Sequence, residues 1–204
     1  MHRACQQAKI WHDQGHHLKV SFNVSARQFM RPVELLDDLR SALNCGVPPH
    51  YMGIEITESM LMDFNSMGNV FRDIRALGCQ IVLDDFGTGY SSLSYLRRFP
   101  IEVLKIDRSF VSHSDKNPKD LEMVRTIVGM AHNLNMKLVA EGVETEEQST
   151  LLSGMHCEVA QGYLYSKPLP LEAFEALLAD QISGRCSQFQ VYFGDPQSSF
   201  GDSI

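Results

Sequence analysis

The chain has 204 residues, of which 44% are hydrophobic and 21% are charged, and its formal net charge is -7. This composition is typical of a globular protein and argues against intrinsic disorder. The acidic charge disfavours a general binder of DNA or RNA, which normally carries a basic stripe. It still permits a small phosphorylated ligand, because divalent cations can turn a cleft rich in carboxylates into a phosphate site.

The cysteines and the apolar segments predict the cellular setting. The five cysteines are odd in number and contain no C-x-x-C pair, a pattern typical of reduced thiols in the cytoplasm. No apolar run reaches the length of a membrane span, and no signal peptide opens the chain. The sequence therefore predicts a cytoplasmic domain without a membrane segment of its own, beginning within a helix.

Six short strands alternate with amphipathic helical segments over residues 1–182. The predicted strands cover residues 19–24, 53–57, 80–84, 103–106, 137–140 and 159–164. Helix starts are indicated at Pro32, at Asn117-Pro118, at Thr145 with Gln148 in capping-box spacing, and at Pro170. Residues 183–204 lose both periodicities and are expected to form a loosely ordered tail. The alternation predicts an α/β domain over residues 1–182, either a doubly wound sheet or part of a (β/α)8 barrel.

Polar residues occur within, at the end of or just after all six predicted strands, with Glu55 and Gln161 inside theirs. In chain order they are Asn23, Glu55 with Glu58, Asp84 with Asp85, Lys105 with Asp107, Glu141, and Gln161. Because the carboxyl ends of parallel strands form one rim, we expect these side chains to converge there. Each has a structural alternative, since a strand-end acid often caps the next helix and a lone lysine often reaches water. The coincidence on six strands favours a functional site.

The chemistry of this set is that of hard oxygen ligands. Carboxylates with an amide oxygen suit Mg²⁺ or Mn²⁺, and the eight histidines lie away from the strand ends, which disfavours zinc. Several carboxylates around two such cations are typical of a two-metal phosphodiester hydrolase. The glycines that follow Asp84-Asp85 allow unusual backbone angles beside the two acids.

Six motifs follow one another along the chain: N-V-S-A-R-Q-F (23–29), E-I-T-E-S (55–59), D-D-F-G-T-G-Y-S-S-L (84–93), L-K-I-D (104–107), A-E-G-V-E-T (140–145) and Q-G-Y (161–163). In this order and spacing they resemble the EAL family of cyclic di-GMP phosphodiesterases. The resemblance covers about residues 1–180. It implies a modified TIM (β/α)8 barrel and metal-dependent opening of cyclic di-GMP to linear pGpG. It also implies a homodimer and, in a longer protein, an upstream sensor or diguanylate cyclase domain.

The resemblance assigns a role to each matching residue. Metal ligands are implied at Asn23, Glu55, Asp84, Asp85 and Glu141. Catalytic roles are implied for Lys105, which would position or help deprotonate the attacking water, for Glu141 at the metal-water site, and for Asp107. Asp107 and Gln161 resemble accessory active-site residues, and Glu58 resembles the glutamate that steadies the Asp-Asp-Phe-Gly loop. Glu144 is a weaker candidate for a substrate-binding or loop-stabilising role than these residues.

The match departs from the family at the motif that gives it its name. In the family a Glu-Ala-Leu strand end supplies the first metal ligand, upstream of the Asn-Val-Ser segment, and nothing before Asn23 matches it. The literal Glu175-Ala176-Leu177 falls in a predicted amphipathic helix, with Glu175 on the solvated face. We therefore expect an incomplete barrel that lacks the first two β-α units, with an open edge at residues 19–24 and weakened hydrolysis. The alternative is an inactive module that binds cyclic di-GMP or another protein.

Overall fold

The computed structural model describes residues 1–63, 68–89 and 93–182. The six strands in these residues are β1 (Val20–Asn23), β2 (Met52–Thr57), β3 (Gln80–Phe86), β4 (Val103–Ile106), β5 (Lys137–Glu141) and β6 (Val159–Gln161). The helices are α1 (His2–Asp13), α2 (Ala26–Phe29), α3 (Pro32–Leu43), α4 (Glu58–Asp63), α5 (Gly68–Ala76), α6 (Leu93–Arg98), α7 (Arg108–Val111), α8 (Pro118–Asn133), α9 (Glu146–Gly154) and α10 (Leu171–Ile182). The predicted tail at 183–204, with Cys186, and Tyr90, Ser91 and Ser92 lie outside the described residues.

The order of the strands decides between the two sheet types that the sequence left open. The strands follow chain order, β1-β2-β3-β4-β5-β6, and β1/β2, β3/β4, β4/β5 and β5/β6 pair in parallel. A doubly wound sheet reverses its strand order at a switch point, whereas the strands of a (β/α)8 barrel succeed one another without reversal. The described residues thus confirm an α/β fold of the barrel type, with six strands against the eight of a complete barrel.

The described chain divides into two compact units, of which the first comprises residues 1–55 and 69–81. Its helix α1 buries Cys5, Ala8 and Trp11, and α3 buries one face that includes Leu36 and Leu39. The rings of Phe29 and Phe71 pack with centroids 4.9 Å apart. Strand β1 alternates half-buried and exposed residues, so one of its two faces is largely open to solvent.

The second unit, residues 56–68 and 82–182 where described, holds the candidate site. All four residues of β4 are buried, which is usual for a parallel strand that is covered on both faces. Leu104, Ile106 and Leu138 are fully inaccessible. Lys105 therefore lies in a core strand, where a charged group requires polar partners.

Several helix ends form as their sequences indicate. The Asn117 side chain accepts a hydrogen bond from the Lys119 N–H at 3.0 Å, directly before α8. Thr145 and Gln148 form the predicted capping box of α9. The Pro170 carbonyl accepts the Phe174 N–H at 3.0 Å, so α10 begins where the proline indicates.

The prediction of a strand to residue 164 was wrong, because β6 ends at Gln161. A β-carbon at Gly162 would overlap the Val143 backbone, so the chain turns there and packs closely against the loop after β5. The Leu164 N–H then donates to the Val143 carbonyl at 3.0 Å instead of extending a strand. Glu175 lies in helix α10 as predicted, but it is half-buried and not on a fully solvated face.

The described cysteines carry free thiols. Burial raises the pKa of Cys79 to about 12 and that of Cys157 to about 11, so both thiols are poor nucleophiles at neutral pH. Three histidines pack around Tyr51, with His17 stacked on its ring at 5.7 Å between ring centroids. Within the described part of the chain, no helix is both long enough and apolar enough to cross a lipid bilayer.

Candidate metal centre

Three carboxylates meet at the ends of strands β3 and β5. One ligand oxygen each from Asp84, Asp85 and Glu141 lies within 4.8 Å of the other two. Asp84 and Asp85 are close to the carboxyl end of β3, Glu141 is the last residue of β5, and β4 lies between these strands. The parallel sheet brings these strand ends together, as the positions in the sequence predict.

Lys105 of β4 lies between the carboxylates of the two neighbouring strands. Its Nζ is 3.0 Å from Asp84 Oδ1 and 2.6 Å from Glu141 Oε1. Lys105 is 8% exposed and Asp84 is 9% exposed, so this charge network is largely shielded from water. The ammonium group partly neutralises the acids, which would otherwise repel one another at this distance.

The backbone at Asp84-Asp85 departs from regular strand geometry. The register between β3 and β4 shifts between Leu83 and Phe86, and Asp85 adopts a left-handed φ of 54°. The Asp84 Oδ1 atom accepts the Asp85 N–H at 3.1 Å. Such an irregularity re-aims side chains beside a functional site. Because of it, the side chains of Asp84 and Asp85 need not point to opposite faces of the sheet, as successive side chains of a regular strand do.

The surroundings of Asp85 disfavour its charged form. Burial raises the pKa of Asp85, and the negative charges of Asp84 and Asp107 raise this pKa further, while Lys105 acts in the opposite direction. A bound cation would remove this penalty.

Glu58 holds the loop that follows the two aspartates. Its Oε2 accepts the N–H of Gly87 at 2.9 Å and the N–H of Gly89 at 3.3 Å, and Glu58 is only 4% exposed. A β-carbon at Gly89 would lie 2.9 Å from Glu58 Oε1, so the carboxylate also limits the size of that residue. The two hydrogen bonds satisfy this buried charge.

Three other predicted site residues of this unit, Asp107, Gln161 and Glu144, are not members of the cluster of three carboxylates. Asp107 caps α7, where its side chain accepts the Ser109 N–H at 2.9 Å. Gln161 stands opposite Glu141 in the register of β5 and β6, and it is exposed. Glu144 is exposed, and its N–H donates to Gln148 Oε1 at 2.8 Å.

Asn23 and Glu55 belong to the first unit. They stand directly opposite each other at the ends of β1 and β2, and the Val24 N–H donates to the Glu55 carbonyl at 3.0 Å. Asn23 is exposed and Glu55 is half-buried between Ile54 and Ile56. Their implied roles as metal ligands stay predictions.

The sequence reasoning missed the contacts that α7 makes with the acidic loops. Gly87 and Gly142, which follow the acids of β3 and β5, have φ angles of 101° and 70°. The sequence places a glycine soon after the acids of these two strands, and such a glycine is a sequence signal for a left-handed turn. The contacts of those turns with Phe110 and Arg108 are set by tertiary packing, which spacing does not reveal.

A family model described as EAL domain matches residues 1–168. The chain belongs to the EAL domain family. This agrees with the six motifs, with the order of the strands and with the acidic cluster at the strand ends.

The EAL domain is similar to several known proteins. It is 44% identical over 182 residues to Signaling protein YkoW of Bacillus subtilis, covering 88% of this chain and 23% of that protein. It is 42% identical over 181 residues to Cyclic di-GMP phosphodiesterase NbdA of Pseudomonas aeruginosa, covering 87% and 23%. Both curated relatives are thus about four times longer than the part that matches.

A solved structure of the same kind supports the fold. The complex of the PaMucR phosphodiesterase with c-di-GMP superposes on the EAL domain with a TM-score of 0.81 at 40% sequence identity. The match covers 85% of this chain and 71% of that chain. The solved relative therefore places this chain in a fold that accommodates c-di-GMP in PaMucR.

Proposed function

We propose that this EAL domain carries the site for metal-dependent hydrolysis of cyclic di-GMP to linear pGpG. The observation that carries the proposal is the cluster of Asp84, Asp85 and Glu141 around Lys105. The naming of NbdA as a cyclic di-GMP phosphodiesterase and the c-di-GMP complex of PaMucR support the choice of substrate.

The donor set fits hard divalent cations. Three carboxylates offer oxygen ligands within 4.8 Å of one another, and oxygen is the donor that Mg²⁺ and Mn²⁺ prefer. Asn23 and Glu55 are proposed as further ligands on the basis of the family resemblance. A pair of such ions supplies Lewis acidity that favours formation of a nucleophile from water and offsets charge on the phosphate.

We assign a separate role in the reaction to each of the side chains at the site. We assign the binding of cations to the carboxylates of Asp84, Asp85 and Glu141. Lys105 Nζ, which now contacts two of these carboxylates, can donate a hydrogen bond to the attacking water or hold a proton beside it. Glu58 keeps the loop after β3 in place through the Gly87 and Gly89 N–H groups. Asp107, Gln161 and Glu144 are proposed as accessory or substrate-contacting residues.

A second candidate is a module that binds cyclic di-GMP or another protein without turnover. The Glu-Ala-Leu triplet at residues 175–177 lies within helix α10, not at the end of a strand. The family's additional glutamate ligand is therefore not supplied by this triplet. We accordingly propose that hydrolysis by these 204 residues alone is slow. Binding of the nucleotide is retained even where hydrolysis is lost.

The decisive experiment measures both binding and turnover in the purified chain. We expect calorimetry to detect cyclic di-GMP binding that Mg²⁺ or Mn²⁺ strengthens, and chromatography to detect slow formation of pGpG that EDTA abolishes. Asp84→Asn should lower the metal-dependent rate on the order of 100-fold, because it removes a charge that faces the cations.

Asp73→Asn, an exposed change of the same type on α5, is the matched control and should leave the rate unchanged. Metal-dependent binding without any pGpG would replace hydrolysis by the second candidate. Absence of both binding and turnover in the wild-type chain would refute the proposed function.

A further inference from the structure

Helix α7 touches the loop that carries the two aspartates. A β-carbon at Gly87 would lie 2.6 Å from Phe110 Cε2, closer than real β-carbons approach a neighbouring atom, and 3.1 Å from Phe110 Cζ, which is tighter than most real contacts. The ring therefore lies directly against the backbone of Gly87, whose φ of 101° already excludes most side chains. Phe110 is half-buried in this contact.

The same helix touches the loop that follows Glu141. A β-carbon at Gly142 would lie 2.5 Å from the Arg108 Cβ atom and 3.3 Å from its Cα atom. This approach involves the backbone of α7, so it does not depend on the position of a flexible side-chain end. One turn of helix thus supports the backbone beside the ligands of both β3 and β5.

Helix α7 is itself anchored away from these two loops. The Asp107 side chain caps it through the Ser109 N–H, and Val111 at its end is fully inaccessible. The Ser112 carbonyl that follows accepts a hydrogen bond from Gln148 Nε2 at 3.1 Å. The helix can therefore act as a fixed support, since its own position is set by α9 and by the core.

Gly87 is consequently held from two sides. Glu58 accepts its N–H at 2.9 Å, and the Phe110 ring packs against its α-carbon. A hydrogen bond to one N–H leaves the peptide free to tilt, whereas an aromatic ring in van der Waals contact removes the space for that tilt. Asp85 lies two residues before Gly87, so a tilt there would move this carboxylate.

We propose that Phe110 is a positioning residue that fixes the Asp84–Gly87 turn in the geometry needed to bind divalent cations. The part of this inference that concerns cations rests on the proposed function. Phe110 itself touches neither substrate nor cation; it acts through Gly87. Removing the ring leaves the Glu58 hydrogen bond to Gly87 and the two hydrogen bonds from Thr88 to the Asp85 carbonyl, and it gives the turn space to sample other conformations.

The test compares Phe110→Ala with the wild-type protein in two measurements. Titration of Mn²⁺ alone, followed by electron paramagnetic resonance, should show a loss of affinity of about 10-fold to 100-fold, as for other groups that orient metal ligands. Amide hydrogen exchange in metal-free protein should become faster at Gly87 and Gly89. Phe110→Leu, which keeps much of the bulk, should recover most of both properties.

The control is Phe174→Ala, which truncates a half-buried phenylalanine on α10. It should lower thermal stability while leaving Mn²⁺ affinity and the exchange at Gly87 unchanged. Equal effects of the two alanine variants would mean a general loss of stability and would overturn the proposal, as would unchanged Mn²⁺ affinity and unchanged exchange in Phe110→Ala.

A failure of the proposed hydrolytic function can be distinguished from a failure of the positioning role of Phe110. Wild-type protein would then produce no pGpG, whereas the Phe110 variants would still differ from it in Mn²⁺ affinity. If the wild-type protein binds no Mn²⁺ at all, the exchange rates at Gly87 and Gly89 decide the positioning role.

Discussion

At the scale of single residues, Lys105 controls the electrostatics of the acidic cluster. Its ammonium group contacts Asp84 and Glu141 in a shielded setting, where each unpaired charge is costly. A divalent cation in the cluster would compete with Lys105 for the same carboxylate oxygens. The free energy of unfolding should therefore depend on both the lysine and the cation.

Replacing Lys105 by methionine should destabilise the metal-free protein strongly. We expect the free energy of unfolding to fall by about 3–5 kcal/mol, because two largely buried carboxylates lose their counter-charge. Saturating Mg²⁺ or Mn²⁺ should restore part of this loss, since the cations supply the missing positive charge. Urea denaturation with and without the metal measures both effects.

Lys116 provides the matched control for this substitution. The Lys116 side chain is 74% exposed, and its Nζ is 3.5 Å from Asp115, whose side chain is 10% exposed. Because Gln148 Nε2 also donates to Asp115 at 3.4 Å, that carboxylate keeps a partner, and Lys116→Met should change stability little. A Lys105→Met loss no larger than that of Lys116→Met, or one that the cations leave untouched, would contradict the assigned electrostatic role.

At the scale of elements, short sequence patterns predicted the structure correctly where the interacting residues are close together in the sequence. Thr145 and Gln148 are three residues apart and form the capping box that this spacing predicts. The end of β6 was not predictable in this way. It depends on Gly162 packing against Val143, and the two residues are separated by a whole helix in the sequence. The support of Gly87 by Phe110 was hidden for the same reason.

The capping box of α9 provides a prediction at this scale. Thr145→Ala removes the acceptor of the Gln148 N–H and should lower the free energy of unfolding by about 1 kcal/mol. Thr150→Ala, at an exposed position of the same helix, controls for the change in helix propensity. Chemical denaturation of the two variants should separate them, and equal stability of both would show that the cap contributes nothing.

At the scale of the whole molecule, the positions of Asp84, Asp85 and Glu141 in the sequence predicted that these acids converge, whereas periodicity did not decide the type of sheet. Periodicity left the doubly wound sheet and the barrel equally open, since both alternate strands and helices. The family resemblance implied the barrel, and the uninterrupted order of the strands agrees with it. The convergence of Asp84 and Glu141 followed from their places at strand ends, whereas the bridging of these two acids by Lys105 required coordinates.

The central claim is that oxygen atoms of Asp84, Asp85 and Glu141 bind divalent cations in this EAL domain. The most direct test is crystal diffraction from protein soaked in Mn²⁺, with anomalous scattering recorded at the manganese edge. We predict a strong anomalous peak within about 2.0–2.4 Å of oxygen atoms from these carboxylates, together with movement of Lys105 Nζ away from at least one of them. Absence of such a peak at saturating Mn²⁺, with Lys105 still bridging Asp84 and Glu141, would contradict the claim.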